Sequence, residues 1–266
     1  MARVWTPYEE AEQQGRLWTP IECVENHAAW FDTSDPSRCT FASGTYSAID
    51  DVFLRGPDMQ QGSASLAPAI SSINGRLAAN FDKTNGVMLE YYAATATMAN
   101  SFTMVIACAV NAVGTNARPI TFIRSAGGND YDNTASIVLM SRSATNTIET
   151  YFNNAQRCTT TIVDGALMIF AVSSDGTNVY HHLNGRPGGS GLVPSINLST
   201  GQFGVGCYSS APSVTNYQGL WGEMVAVRAY SEDLRQRLEG ALAWKWGLEG
   251  KFTDHPYMNA PPLLGT

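Results

Sequence analysis

Charge is the first thing this sequence has little of. Asp, Glu, Lys and Arg make up 15% of its 266 residues, and the net charge is −7, against a usual charged share of about a quarter. An acidic, sparsely charged surface does not attract phosphate backbones, so nucleic acid is not an expected partner. Long apolar runs are missing as well. No stretch approaches the roughly 18 residues that a membrane-crossing helix needs. Pro7 and then Glu9 and Glu10 interrupt the N-terminus before the apolar segment of a signal peptide can form. The five cysteines (Cys23, Cys39, Cys108, Cys158, Cys207) are scattered, odd in number and never in CxxC spacing. Thiolate metal sites and redox pairs are therefore not expected, and Cys108 reads as a small core residue within an apolar run.

Catalytic patterns are absent too. No E-x-D-x-x-E run places two carboxylates on one strand face, as a sandwich glycosidase requires. Glu149 and Glu223 stand alone in their runs, and the adjacent Asp50 and Asp51 would face opposite sides of a strand. No G-x-S-x-G elbow occurs. His181 and His182 are strand neighbours, unable to chelate one metal from the same face, and read as surface or edge residues. Nothing here points to an enzyme or to a required cofactor.

What is present is a β protein's punctuation. The sequence is 44% apolar, enough for a large core. Runs such as "RLAANF", "FTMVIACAVN", "ALMIFAVSS", "NVYHHLNG" and "EMVAVRAY" alternate with Gly/Asn/Asp clusters suited to turns with positive φ. "VSSDGTNVYHHLNG" reads as a hairpin turning at Asp175-Gly176. Many short strands without interleaved helices predict an all-β fold: a two-sheet antiparallel jelly-roll sandwich. Residues 39–73, rich in Ser, Ala and Gly, resist assignment.

Helices frame the strands. "TPYE" (6–9) and "TPIE" (19–22) both read as capping boxes with Pro at the first helical position, each following a Trp. Residues 1–26 therefore form an arm of two short helices joined at Gly15, ahead of a sandwich over 27–266. The arm either packs on its own domain or docks onto a larger assembly. For docking, Trp5, Tyr8, Leu17 and Trp18 are the candidate contacts. After the last strand comes a closing helix over 231–246, with Ser231 as N-cap, acidic residues in its first turn and Gly247 as its left-handed stop. Leu234, Leu238, Ala241 and Leu242 form its apolar stripe. Beyond lies an extended tail, which Asp254, His255 and Tyr257 would pin to the sandwich.

Two groups of residues have binding chemistry. Tyr208, Tyr217 and Trp221 cluster around "YSSAPSVTNYQGLW" and are candidate sugar-stacking rings, with strand core as the alternative. Asp130, Asp132 and Asn133 in "GGNDYDN" offer oxygens suited to Ca²⁺, or else cap their own backbone as a polar turn.

Several segments, in order, resemble the laminin-G-like branch of the concanavalin A-like lectin/glucanase domains, in the version carried by bacteriophage structural proteins. They are "AAWFDTSDPS" (28–37), "NGRLAANFD" (74–82), "FTMVIACAV", "NVYHHLNG" and the long close "GLWGEMVAVRAYSEDLRQRLEGALAWKWGL…DHPY". The resemblance covers roughly residues 20–262. It implies a non-enzymatic virion subunit (head decoration, head fibre or tail-associated), oligomeric in the particle and attached to capsid or tail proteins through its arm. The alternative it implies is a carbohydrate-binding module for host glycans, with Ca²⁺ in its rim loops.

Overall fold

The fold is taken from a computed structural model that describes residues 7–23, 25–53, 58–61, 65–82, 89–93, 100–111, 117–125, 136–142, 145–152, 155–194, 201–206 and 217–265. In chain order the strands are β1 (His27–Asp32), β2 (Cys39–Ala42), β3 (Thr45–Ile49), β4 (Met59–Gln60), β5 (Ala69–Ile73), β6 (Arg76–Phe81), β7 (Leu89–Ala93) and β8 (Ser101–Val110). They continue as β9 (Ala117–Ser125), β10 (Ser136–Arg142), β11 (Thr147–Phe152), β12 (Ala155–Thr161), β13 (Leu167–Asp175), β14 (Asn178–Leu183), β15 (Arg186–Leu192), β16 (Gly201–Val205) and β17 (Gly219–Val227). Helix α1 (Pro7–Gln13) precedes them and α2 (Glu232–Trp246) follows. The 39–73 stretch that resisted assignment supplies β2 to β5.

All pairings are antiparallel, and they build two layers. In the first, β17 pairs with β8 along one side and with β6 and then β1 along the other; β13, β14 and β15 follow outward from β8. The second layer runs β2-β3-β4-β7-β16-β9-β10-β11-β12. Between them lies the main core, in which Met104, Ile106 and Phe170 of one layer meet Ile137, Leu139 and Phe152 of the other. The all-β sandwich expected from the strand pattern is what forms.

The central strands of the first layer are buried on both faces. Val105, Ala107, Ile169, Ala171, Val225 and Val227 point away from the sandwich interior and are covered by Leu238, Leu242 and Trp246 of α2. This explains why "FTMVIACAV" is apolar without alternation: a strand covered on both sides has no solvent face. Helix α2 is placed by its ends. The Ser231 side chain accepts from Leu234 N–H, and Gly247 adopts φ 64° at the C-terminus. The Leu248 amide then returns to the Ala243 carbonyl at 2.7 Å. Asn74, in the β5–β6 turn, donates to the carbonyls of Trp246 and Gly247 at 2.8 and 3.1 Å, tying that hairpin to the helix end.

The arm folds back onto its own domain. Tyr8, Ala11 and Leu17 pack with Trp244 and Leu263, and Trp18 joins the apolar layer under α2. Leu17 pairs with Leu263 as a β-bridge, and Trp18 N–H donates to the Pro262 carbonyl at 3.0 Å. The second predicted helix is one 3₁₀ turn over Pro20–Cys23, closed by Glu22 N–H on the Thr19 carbonyl. Tyr8, Leu17 and Trp18 are all buried. Most of their surface is covered within the chain, so the arm packs on its own domain, the first of the two expected outcomes. Trp5 lies outside the described residues.

Candidate functional site

Among the described residues, a concentration of buried polar groups sits where β1, β17, the C-terminal end of α2 and the arm converge. Asp32 closes β1, and Glu223 is its direct cross-strand partner in β17. A register shift between Trp221 and Glu223 turns the carboxylate outward, beneath the helix, while Trp221 points into the core. Two carboxylates facing each other across a ladder repel. Lys245 of α2 answers this: its Nζ lies 2.5 Å from Asp32 Oδ2 and 2.8 Å from Glu223 Oε2.

Every remaining acceptor of the pair is occupied. The indole N–H of Trp30 donates to Glu223 Oε1 and that of Trp246 to Oε2, both at 2.7 Å. Asp32 Oδ1 accepts from Ser34 N–H at 2.9 Å and from the Ser34 hydroxyl at 2.6 Å. The approach of Trp246 requires Gly222, whose hypothetical Cβ would stand 2.8 Å from that ring. Burial pushes the Glu223 carboxyl upward, and the Lys245 ammonium pulls against it. Burial also works against the Lys245 charge, but Glu223 and Asp32 outweigh it and hold the ammonium above its ordinary range.

Above this cluster opens a cavity of about 400 Å³, lined by Tyr8, Trp18 and Glu12 of the arm, by Asp35 and Arg76, and by Lys245 on its floor. Glu12 is exposed, Asp35 and Arg76 are half-buried, and the Arg76 guanidinium lies 5.8 Å from the Tyr8 ring centre. Burial pushes the Tyr8 phenol up to about 12, so it stays a neutral donor at physiological pH.

The residues singled out from sequence fall elsewhere. Tyr217 and Trp221 are fully buried. The Tyr217 hydroxyl donates within the core to the carbonyls of Ala109 and Leu220, so neither ring offers a face to a sugar. Tyr208, Asp130, Asp132 and Asn133 lie outside the described residues. Among the described residues no group of three or more His, Cys, Asp or Glu side chains is arranged to hold a metal ion. The histidine pair is also corrected: His181 and His182 are buried rather than at the surface. His181 bridges the layers, its ring nitrogens 2.5 Å from the Thr150 hydroxyl and 3.0 Å from that of Thr160. Burial lowers its pKa to about 3.

Sequence reasoning dismissed Glu223 as isolated and read "WKW" only as a helix end. The available signal was a lone charged residue inside the apolar run "GLWGEMVAV". A buried carboxylate of that kind requires a partner.

No protein-family model matches the sequence, and no curated protein matches it. Solved structures do match by shape. The chain is similar to Trypanosoma rangeli sialidase (TM-score 0.52, 14% identity) over 78% of its own length and 31% of the sialidase chain; it thus spans under a third of that protein. It is also similar to domain 4 of AbnA, a GH43 extracellular arabinanase from Geobacillus stearothermophilus, in complex with arabinotriose. That match has a TM-score of 0.55 at 13% identity and covers 79% of this chain and 96% of the other. At such identities the likeness is one of fold alone, an all-β sandwich.

Proposed function

We propose that this chain is a carbohydrate-binding β-sandwich whose ligand enters the cavity between the arm, the β1 end and α2. The observation that carries the reading is the composition of that cavity. Aromatic edges from Tyr8 and Trp18 stand beside Glu12, Asp35 and Arg76 in a space of about 400 Å³, within the range of small-ligand pockets. The ring edges supply apolar contact along one wall, and carboxylates with a guanidinium supply acceptors and donors for sugar hydroxyls. The likeness in fold, over 79% of this chain, to an arabinanase domain solved with arabinotriose supports the same class of ligand. Binding without cleavage fits the floor of the cavity. Asp32 and Glu223 are engaged by Lys245 and by indole and serine donors, so neither carboxylate is presented to a ligand in the cavity.

A glycan array followed by calorimetry tests this. Arg76→Ala and Asp35→Ala should each weaken binding of the selected sugar at least about tenfold, the loss of one charge-assisted hydrogen bond. A folded wild-type chain that binds no sugar would refute the reading.

Where such a module acts rests on a different ground, the resemblance of its ordered motifs, above all residues 219–257, to those of phage structural proteins. On that ground we place it in the virion, assembled with capsid or tail proteins and displaying the sandwich outward. Mass spectrometry of purified particles decides this, and absence of the chain from them removes the placement.

A further inference from the structure

The cluster on the cavity floor has the parts of a bond-forming site. We propose that Lys245 and Asp32 condense to an intramolecular amide, with Glu223 carrying the proton. The geometry differentiates the two oxygens of Asp32. Oδ1 is held by two donors from Ser34, the arrangement that stabilises a developing oxyanion. Oδ2 faces Lys245 Nζ at 2.5 Å and is free to leave. Glu223 Oε2 lies 2.8 Å from the same nitrogen, where it can accept a proton from it. Side-chain exposures of 14% for Lys245, 8% for Asp32 and 1% for Glu223 keep bulk water from competing.

The step balances without any co-reactant. Nζ gives one proton to Glu223 and, as an amine, attacks Asp32 Cγ; the N–C bond forms and the Cγ–Oδ1 π pair moves onto Oδ1. Glu223 passes its proton to Oδ2, takes the next proton from the tetrahedral nitrogen and delivers that to Oδ2 as well. As Oδ1 re-forms the carbonyl, the Cγ–Oδ2 bond breaks and Oδ2 departs as water into the cavity above. Ammonium and carboxylate thus become one neutral amide and one water, and Glu223 ends as it began. The two carboxylates hold the Lys245 proton, so the amine forms only by transfer to Glu223, whose proton affinity burial raises; the neutral product then removes two charges from a poorly solvated place. Among the described residues no other lysine is ion-paired to two carboxylates.

The amide would link the end of the first strand to the last turn of α2, across 213 positions of sequence. Intact mass of the full purified chain under denaturing conditions reads the proposal directly. Expected is a mass short of the sequence value by one water, with digestion yielding a branched peptide that joins Asp32 to Lys245 and leaves Lys245 uncut by trypsin. Lys245→Arg should restore the full mass. Glu223→Gln, if folded by circular dichroism, should also show the full mass; a linked product in that variant removes Glu223 from the step. Full sequence mass in the wild type overturns the proposal, as does a water loss mapped to any other position, such as Asp175-Gly176. Because the wild-type readout needs no variant, a substitution that fails to fold does not obscure the result.

Discussion

Asp32 and Glu223 face each other across the β1–β17 ladder, and a single lysine from α2 contacts both. The contact makes the helix a condition for the sheet: without it, two carboxylates would share a buried edge. Removing one member of a buried charge network strands the others, at a cost of about 3–5 kcal/mol. Lys245→Met should therefore lower the urea midpoint sharply. Glu223→Gln in the same chain should recover part of that loss by removing the second charge. If the two substitutions simply add, the coupling across the ladder is absent.

Acid should loosen the sandwich well before most carboxylates titrate. Burial lowers His181 to about 3, and burial with the nearby Arg235 charge lowers His182 to about 4, from ordinary values near 6.5. Between those limits the unfolded chain binds protons that the folded one does not, so stability falls as pH drops below about 6.5 and continues to fall toward 4. Each histidine contributes a slope of at most about 1.4 kcal/mol per pH unit. Denaturant midpoints measured from pH 7.5 to 4.5 should show this slope, and His181→Gln should flatten it. An unchanged midpoint across that range would contradict the neutral, layer-bridging role of His181.

The β13–β14 hairpin has an acid response of its own. Asp175 accepts from Thr177 N–H at 2.8 Å, from Asn178 N–H at 2.7 Å and from the Tyr180 hydroxyl at 2.8 Å. These donors lower its carboxyl to about 2. Its contribution is present above the ordinary carboxylate range and is lost as pH falls from about 4 toward 2. The site is exposed and screened, so Asp175→Ala should cost no more than about 1 kcal/mol. Amide exchange should quicken locally at 176–179 and leave β8 unaffected.

Glycines close the seam between β15 and β12. A side chain at Gly189 or Gly191 would run into the backbone of Thr159 or Arg157. Gly191→Ala should destabilise by about 1–3 kcal/mol through overpacking. Gly250→Ala, where nothing stands within 4 Å, should be close to neutral and serves as the control in thermal melts.

The parts of the fold that were legible in sequence are those set by local chemistry. Ser231 and Gly247 delimit α2 because capping depends on neighbours within one turn. The hairpin predicted at Asp175-Gly176 forms, with Gly176 at φ 94°, and Asn184-Gly185 marks the next because both of its residues take positive φ. The tail is fastened largely as its residues suggested: the buried His255 lies 3.3 Å from Glu239 and Tyr257 packs on Gly240, although Asp254 stays exposed. The cavity was not legible. Tyr8, Asp35, Arg76 and Lys245 are distant in sequence and meet only after the sheet and helix are assembled. Tyr217 and Trp221 misled for a related reason. An aromatic beside a polar loop resembles a binding ring until the register shows which face it takes.

The bridge between Leu17 and Leu263, with Leu264 N–H on the Arg16 carbonyl at 2.8 Å, fastens the segment that follows α1 to the C-terminal tail. A circular permutant opened between Gly176 and Thr177, with a short linker joining the old ends, should fold to the same sandwich. The same closeness would let the whole unit be inserted into a surface loop of a host protein without pulling it apart.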